Sequence, residues 1–316
     1  MEMTIHKQIM KYMVPNLIWN WLRRIKIIWK HGQCQQELNE IFKTVDDRLL
    51  SEIKPLKQLP DSKKIIWQYW AQGFDSSSMP YLVNMCFQSV NEHTSNFLLI
   101  RISDENIKEY IEIPRWLAEK RCHISKAHFA DLLRCVLLSK YGGLWLDATT
   151  FLTGNVPSYI YDTDFFMYQR DNAEENKKYW KKTFAYYWGW SPRFMVRTLI
   201  GIIYAEKGNK TISDMAVLLL TFWKSRNSVP DYFFFQILIE MYFKKNPEAR
   251  PTVVNDTVPH LLRQYINGCP VPGLSLADIF NRTTIHSLNY KNEAALSRLS
   301  AIFPEYKDVK HIISAK

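Results

Sequence analysis

The sequence predicts an α/β protein: a layered sheet flanked by helices, with a helical extension before it and a mainly helical half after it. Short apolar runs rich in β-branched and aromatic residues, "KIIWQYWAQG" (64–73) and "FLLIRI" (97–102), have the length and composition of buried strands. Stretches with helical spacing come after each run, and strand alternating with helix at this interval builds a layered α/β sheet. The 316 residues are 47% apolar and 23% charged, which suits a globular chain with a sizeable core and excludes wholesale disorder.

Residues 1–33 carry Lys7, Lys11, Arg23, Arg24, Lys26 and Lys30 against Glu2 alone, so half of the net charge of +10 falls there. Within them "VPNLIWNWLRRIKIIWKHG" (14–32) reads as a helix ending near Gly32. Its tryptophans, aliphatics and cations suit a helix lying in a membrane interface, aromatics at headgroup depth and cations toward anionic lipid. They equally suit a helix packed on the rest of the molecule with its charges solvated. Residues 34–63 read as a further helix and a polar linker closing on Pro60-Asp61-Ser62.

After the strand at 64–73 comes helical spacing at Leu82, Met85, Cys86 and Val90, then the strand at 97–102, with Ser103 placed to cap the next helix. In "HFADLLRCVLLSKYGGLWLDATT" (128–150), Phe129, Leu132, Leu133, Val136 and Leu137 make a helical apolar stripe. Gly142 and Gly143 permit a sharp turn and close backbone approach, and "LWLD" then reads as a strand delivering Asp147 at its C-terminal end. Beyond Thr150 the stretches 193–208, 213–225 and 231–246 read as helical.

Several classes are excluded. No apolar run approaches the ~20 residues that span a bilayer, and no cleavable signal sequence is present. Five scattered cysteines without a CxxC pair argue against zinc and a disulfide framework, and for a reducing compartment. "EKGNKT" (206–211) is not a P-loop, and no GxGxxG comes after the first strand.

The chemistry-bearing residues converge on one stretch. Asp131 and Arg134 are neighbours on one side of a helix, either as a solvated ion pair or as a grip on phosphate and sugar hydroxyls. Asp147 is either a capping residue at a strand end or a ligand for Mg²⁺ or Mn²⁺, which needs only one or two protein carboxylates when substrate phosphates supply other oxygens. Thr149 returns to the same side and offers a hydroxyl. In "KKYWKKTFAYYWGWSPRF" (177–194), Tyr187, Trp188 and Trp190 fit either plain packing or contact with an acceptor sugar. Cations among aromatics also suit single-stranded nucleic acid. The concentration of charge at the N-terminus, away from any recognition module, argues against a nucleic-acid partner.

The block from Ala127 to Thr149, with "IIWQYWAQG", "CFQSV", "YFFFQILIEM" and "TTIHSLNYK" around it in order, strongly resembles the capsular polysaccharide synthesis proteins, over roughly residues 64 to 291. These are bacterial glycosyltransferases related to the initiating α-mannosyltransferases and the glucosylating toxins that share a DxD motif. The resemblance implies a GT-A fold, a Rossmann-type mixed sheet in residues 64–316, with 64–150 binding a nucleotide-sugar and 151–316 closing on the acceptor. It implies a catalytic set of Asp131, Arg134 and Asp147, with Mn²⁺ or Mg²⁺ held by Asp147 and Thr149. Donor contacts are implied at Trp67 or Trp70, Trp145, Gly142, Gly143 and His286. The implied reaction is retaining transfer to a lipid-linked surface-glycan acceptor, at the cytoplasmic face of the plasma membrane. Two departures stand out: Thr149 replaces the second DxD aspartate, and Ser287 stands where a lysine is expected. A non-catalytic nucleotide-sugar or glycan-binding protein is the alternative these departures suggest.

Overall fold

The computed structural model describes residues 16–75, 78–290 and 292–306. Helix α1 (Asn16–Lys43) is one unbroken helix of 28 residues. The expected stop at Gly32 does not occur. A mid-helix glycine costs only about 1 kcal/mol relative to alanine, and burial on both sides of it outweighs that. Ile27, His31, Cys34, Leu38 and Ile41, spaced for one helical face, are buried toward the main core, so the further helix expected from residue 34 is the continuation of α1 as far as Lys43. Among the described residues no helix is long and apolar enough to cross a membrane.

The centre is a five-stranded mixed sheet built from β1 (Ile65–Tyr69), β2 (Leu98–Ile102), β3 (Gly143–Leu146), β5 (Phe165–Gln169) and β6 (Thr198–Ala205), in the order β2-β1-β3-β6-β5. Strands β2, β1 and β3 run parallel, β6 is antiparallel to β3, and β5 is antiparallel to β6. The C-terminal ends of β1, β2, β3 and β5 therefore share one edge with the start of β6. The central strand β1 is buried at all five positions, as expected where both sheet faces are covered. Its residues alternate between two cores. Ile65, Trp67 and Tyr69 join the large core with α3 (Lys126–Tyr141), α4 (Lys210–Ser225), α5 (Phe234–Lys245) and α1. Ile66 joins a smaller one with Leu144, Leu146, Ile202 and Tyr204. On that second side lie α2 (Tyr81–His93) and a two-stranded ribbon, β4 (Thr150–Leu152) with β7 (Ile285–Ser287).

The 193–208 stretch, expected to be helical, instead supplies β6, and 165–169, unassigned from sequence, supplies β5. "TLIGIIYA" is rich in β-branched residues and is hydrogen-bonded on both edges in a fully packed layer. Such a run, apolar at every position after Thr198, carries no two-residue alternation to separate it from a buried helix. The five cysteines are all free.

Gly142 and Gly143 join α3 to β3 with positive φ, +72° and +111°. A Cβ on Gly142 would lie 2.2 Å from Ser62 Oγ and 2.6 Å from the Lys207 backbone nitrogen, and one on Gly143 would lie 2.9 Å from the Ile65 carbonyl. They are required for chain packing, and they sit at the opposite end of β3 from Asp147, so the expectation that they bind a donor is corrected. Gly142→Ala should lower the unfolding free energy by at least ~2 kcal/mol, read as a reduced urea midpoint at unchanged m-value. A stable variant with an altered donor KM would reinstate the ligand role.

Candidate active site

Helix α3 starts where Ser125 Oγ accepts the His128 amide and ends at Gly142. Its buried residues are apolar except for Ser139 near its end and for Asp131 and Arg134, which are only 6% and 3% exposed. The solvated-pair reading is thereby excluded. Arg134 Nη2 lies 3.1 Å from Asp131 Oδ1 and 3.4 Å from Asp147 Oδ1. Its Nε donates to the Ala130 carbonyl at 3.1 Å and its Nη1 to the Ile200 carbonyl on β6. The guanidinium carbon sits 5.1 Å from the centre of the Trp145 ring.

Asp147, just beyond β3, is fixed from several sides. Its amide donates to the Gly201 carbonyl at 2.8 Å, and its Oδ1 accepts Trp145 Nε1–H at 2.8 Å. A Cβ on Gly201 would come within 2.9 Å of Oδ2, so glycine at that position of β6 makes room for the carboxylate. Among the described residues no hydrogen-bond donor reaches Oδ2, and the side chain is 39% exposed. Thr149, two residues on, is also part-exposed, with buried Ala148 between them. These two side chains fit a hard cation that draws most of its oxygens from a bound diphosphate and water. They do not form an all-protein cage, and no group of three potential ligands exists among the described residues.

Burial lifts the Asp131 carboxyl from its ordinary value to about 7, with Arg134 pulling it down and Asp147 pushing it up. Near neutrality this carboxyl keeps a proton for part of the time, leaving Arg134 balanced against Asp147.

Three exposed or part-exposed aromatics lie near the two ends of the elements that carry this site. Trp70, directly after β1, is half-buried over Met79, Val83, Phe87 and Ala148, and Tyr290 stands edge-on to it at 5.9 Å. Tyr232, 65% exposed, packs 6.0 Å from His128 at the start of α3. Desolvation raises the Tyr232 phenol, the charges of Asp131 and Asp147 add to the rise, and Arg134 opposes it. Sequence reasoning missed Tyr232 and Tyr290. Each lies inside a stretch already noted ("YFFFQILIEM", "TTIHSLNYK"), but nothing marked it apart from its neighbours. It also missed the network in which Asp104, after β2, accepts the Tyr69 hydroxyl at 2.5 Å and Arg121 Nη2 at 2.8 Å.

Other expected contacts are corrected by burial. Trp67 is 0% exposed, donating Nε1–H to the Gly142 carbonyl at 2.8 Å, so of the two candidates for base stacking only Trp70 reaches the edge. Trp145 is 1% exposed and acts on Asp147 rather than on a ligand. His286, also 0% exposed, pairs across from Phe151 in the ribbon, and burial holds its pKa down at about 3. The segment it heads does reach the site, through Leu288 N–H to the Thr149 carbonyl at 2.9 Å and through Tyr290. Tyr187 and Trp188 are 7% and 3% exposed and clasp Arg170, which forms a fully buried ion pair with Asp256 at 2.9 Å. They are therefore unavailable to an acceptor, whereas Trp190 remains part-exposed.

A sequence model of the family described as "Capsular polysaccharide synthesis protein" matches residues 20–303. No curated protein matches the chain. Among solved structures, the chain is loosely similar to one titled "PaToxG Glycosyltransferase", at 13% identity and a TM-score of 0.36, covering 82% of this chain and 95% of that one.

The raised Asp131 carboxyl sets a pH dependence. Unfolded, the group ionises at about 3.8; folded, it holds its proton up to about 7. The stability this contributes is present in full below the unfolded value and is lost as pH rises through the folded one. The unfolding free energy of the wild type relative to Asp131→Asn should fall by up to about 4 kcal/mol between pH 4 and 8, measured by urea titration. A difference that stays flat would mean that Asp131 is ionised in the fold throughout.

Proposed function

The chain belongs to the capsular polysaccharide synthesis protein family, and from that premise we propose that it is a glycosyltransferase moving a sugar from a nucleoside diphosphate to a surface-glycan acceptor. The observation that carries this reading is the half-exposed Asp147 carboxylate at the ligand-binding edge of the sheet, anchored through Oδ1 with Oδ2 open. Asp147 and the Thr149 hydroxyl would hold Mn²⁺ or Mg²⁺ together with the donor diphosphate. Such a cation, when bound, supplies positive charge against the negative charge that develops on the leaving diphosphate.

The protein's own groups divide the remaining work. Arg134 has its donors committed to Asp131, Asp147, Ala130 and Ile200, so it acts as a positioning residue rather than as a fork on phosphate. Asp131 takes part through Arg134, whose guanidinium it holds in place. Trp70 offers a face for the nucleotide base, with Tyr290 edge-on to it. The reading extends to retention at the anomeric carbon and to a lipid-linked acceptor at the inner face of the plasma membrane. The competing reading, a nucleotide-sugar binder without turnover, draws on Thr149 in place of a second carboxylate.

Donor hydrolysis across a panel of nucleotide-sugars, with Mn²⁺ and then with EDTA, separates the two readings. Turnover that EDTA removes and Mn²⁺ restores is expected; tight binding of a nucleoside diphosphate without turnover would favour the binder. Asp147→Asn keeps an oxygen for Trp145 but loses the charge. Its activity should drop by a factor of at least ~100 with the chain still folded by circular dichroism, at a urea midpoint lowered because buried Arg134 loses a carboxylate partner, and wild-type turnover would refute the cation role. Trp70→Ala should raise the donor KM several-fold with little change in kcat, and an unaltered KM would remove Trp70 from the base site.

A further inference from the structure

Helix α1 is apolar on two opposite faces. One enters the core; the other carries Ile18, Trp21, Leu22, Ile25 and Trp29, spaced as a single stripe and pointing away from the body. Trp21 and Trp29 are 61% and 60% exposed, and the three aliphatics lie between 44% and 49%. Past Trp29 the same face turns polar, with Gln36 and Glu40. Nothing within the fold needs the stripe. On the body-facing side of the same half of α1, across the helix from the stripe, a cavity of about 290 Å³ opens against the 181–194 segment. Arg23, Arg24, Lys181 and Lys182 line it, together with Trp190.

Among the described residues no carboxylate forms an ion pair with any of these four cations, whereas Lys30, Arg170 and Arg226 each have an acidic partner within reach. Arg23 is hydrogen-bonded to Asn20 Oδ1 at 2.6 Å, and Lys181 lies over the Trp190 ring at 5.8 Å. Partial burial lowers the Lys181 pKa, and repulsion from Arg24 and Lys177 lowers it further. The cations are thus held together without internal compensation. The excursion from β5 to β6 that carries Lys181 and Lys182 starts at the sheet edge where Asp147 stands.

We propose that this cavity receives the phosphate of an anionic lipid, delivered by a bilayer into whose interface the α1 stripe inserts. A phosphate pairs with these cations, and a lipid is the phosphate source whose bilayer also covers the apolar stripe, since a helix lying in the interface keeps its apolar face in the acyl region and its cations at headgroup level. A second copy of the chain would set the same cations against one another, and a free phosphate would leave the stripe in water. The proposal rests on the membrane-surface part of the reading above and is independent of transferase chemistry.

The test uses the full chain, since cutting after residue 33 would sever α1. Co-sedimentation with phosphatidylcholine vesicles, with and without phosphatidylglycerol, should show binding that depends on the anionic lipid. Trp21→Ser/Trp29→Ser should abolish it. Arg24→Glu/Lys181→Glu, both at exposed positions, should weaken it roughly tenfold or more, with donor hydrolysis unchanged. A soluble short-chain phosphatidic acid should raise the melting temperature of the wild type but not of Arg24→Glu/Lys181→Glu, and inorganic phosphate should do so for neither. Vesicle binding by Arg24→Glu/Lys181→Glu at the wild-type level would overturn the cavity assignment. Stabilisation by inorganic phosphate equal to that by the lipid would replace the lipid with a free anion. Binding of a single-stranded oligonucleotide without vesicle binding would replace it with nucleic acid. Loss of donor hydrolysis in the wild type would sink the transferase reading while leaving these results standing.

Discussion

A single guanidinium, that of Arg134, ties three parts of the fold together. It reaches the carboxylate one helical turn away, the carboxylate beyond β3 and a carbonyl of β6, with little exposure to water. An arginine can be buried only when its fork is matched by acceptors, since unpaired charge in a low-dielectric interior is costly. Here the acceptors come from three elements, so α3, β3 and β6 must arrive in register before the charge is satisfied. Gly201 makes room on β6, and Trp145 fixes the far side of Asp147. Rigidity at this point leaves one carboxylate oxygen free in a defined direction, which is the arrangement a preorganised electrostatic site requires.

A second buried arginine performs a similar service for the excursion between β5 and β6. Arg170 pairs with Asp256, donates to the Tyr187 and Gly189 carbonyls, and lies against the rings of Tyr187, Trp188 and Trp190. The dense aromatic segment is therefore mostly a clamp around an ion pair. Only its margin, with Trp190 and the neighbouring lysines, is left to face α1 across the cavity. Helix α1 serves both sides of this arrangement, since its inner face completes the main core while its outer face remains free for another surface.

The fold was legible where composition and spacing left one choice. The strands at 65–69 and 98–102 and the helices at 81–93 and 126–141 lie within a few residues of their expected positions. Strand β6 was not legible, because a buried run that is apolar at every position after Thr198 satisfies a buried helix and a buried strand alike. Gly32 misled for a related reason: a glycine weakens a helix by less than the packing of the turns around it stabilises one.

At the site, the sequence by itself determined that Asp131 and Arg134 share one side of a helix and that Asp147 ends the strand after it, because helical spacing and a two-glycine turn fix that local order; their grouping as one set came from the family resemblance, and their contact from the tertiary structure. Which side chains face a ligand was decided by tertiary structure alone. Trp67 and Trp70 are three residues apart, yet one is sealed beneath Gly142 and the other lies at the open edge. His286 and Tyr290 are four apart, and only the second clears the β4–β7 ribbon. Exposure depends on where a strand ends relative to layers contributed by distant parts of the chain, and no local pattern of residues encodes that.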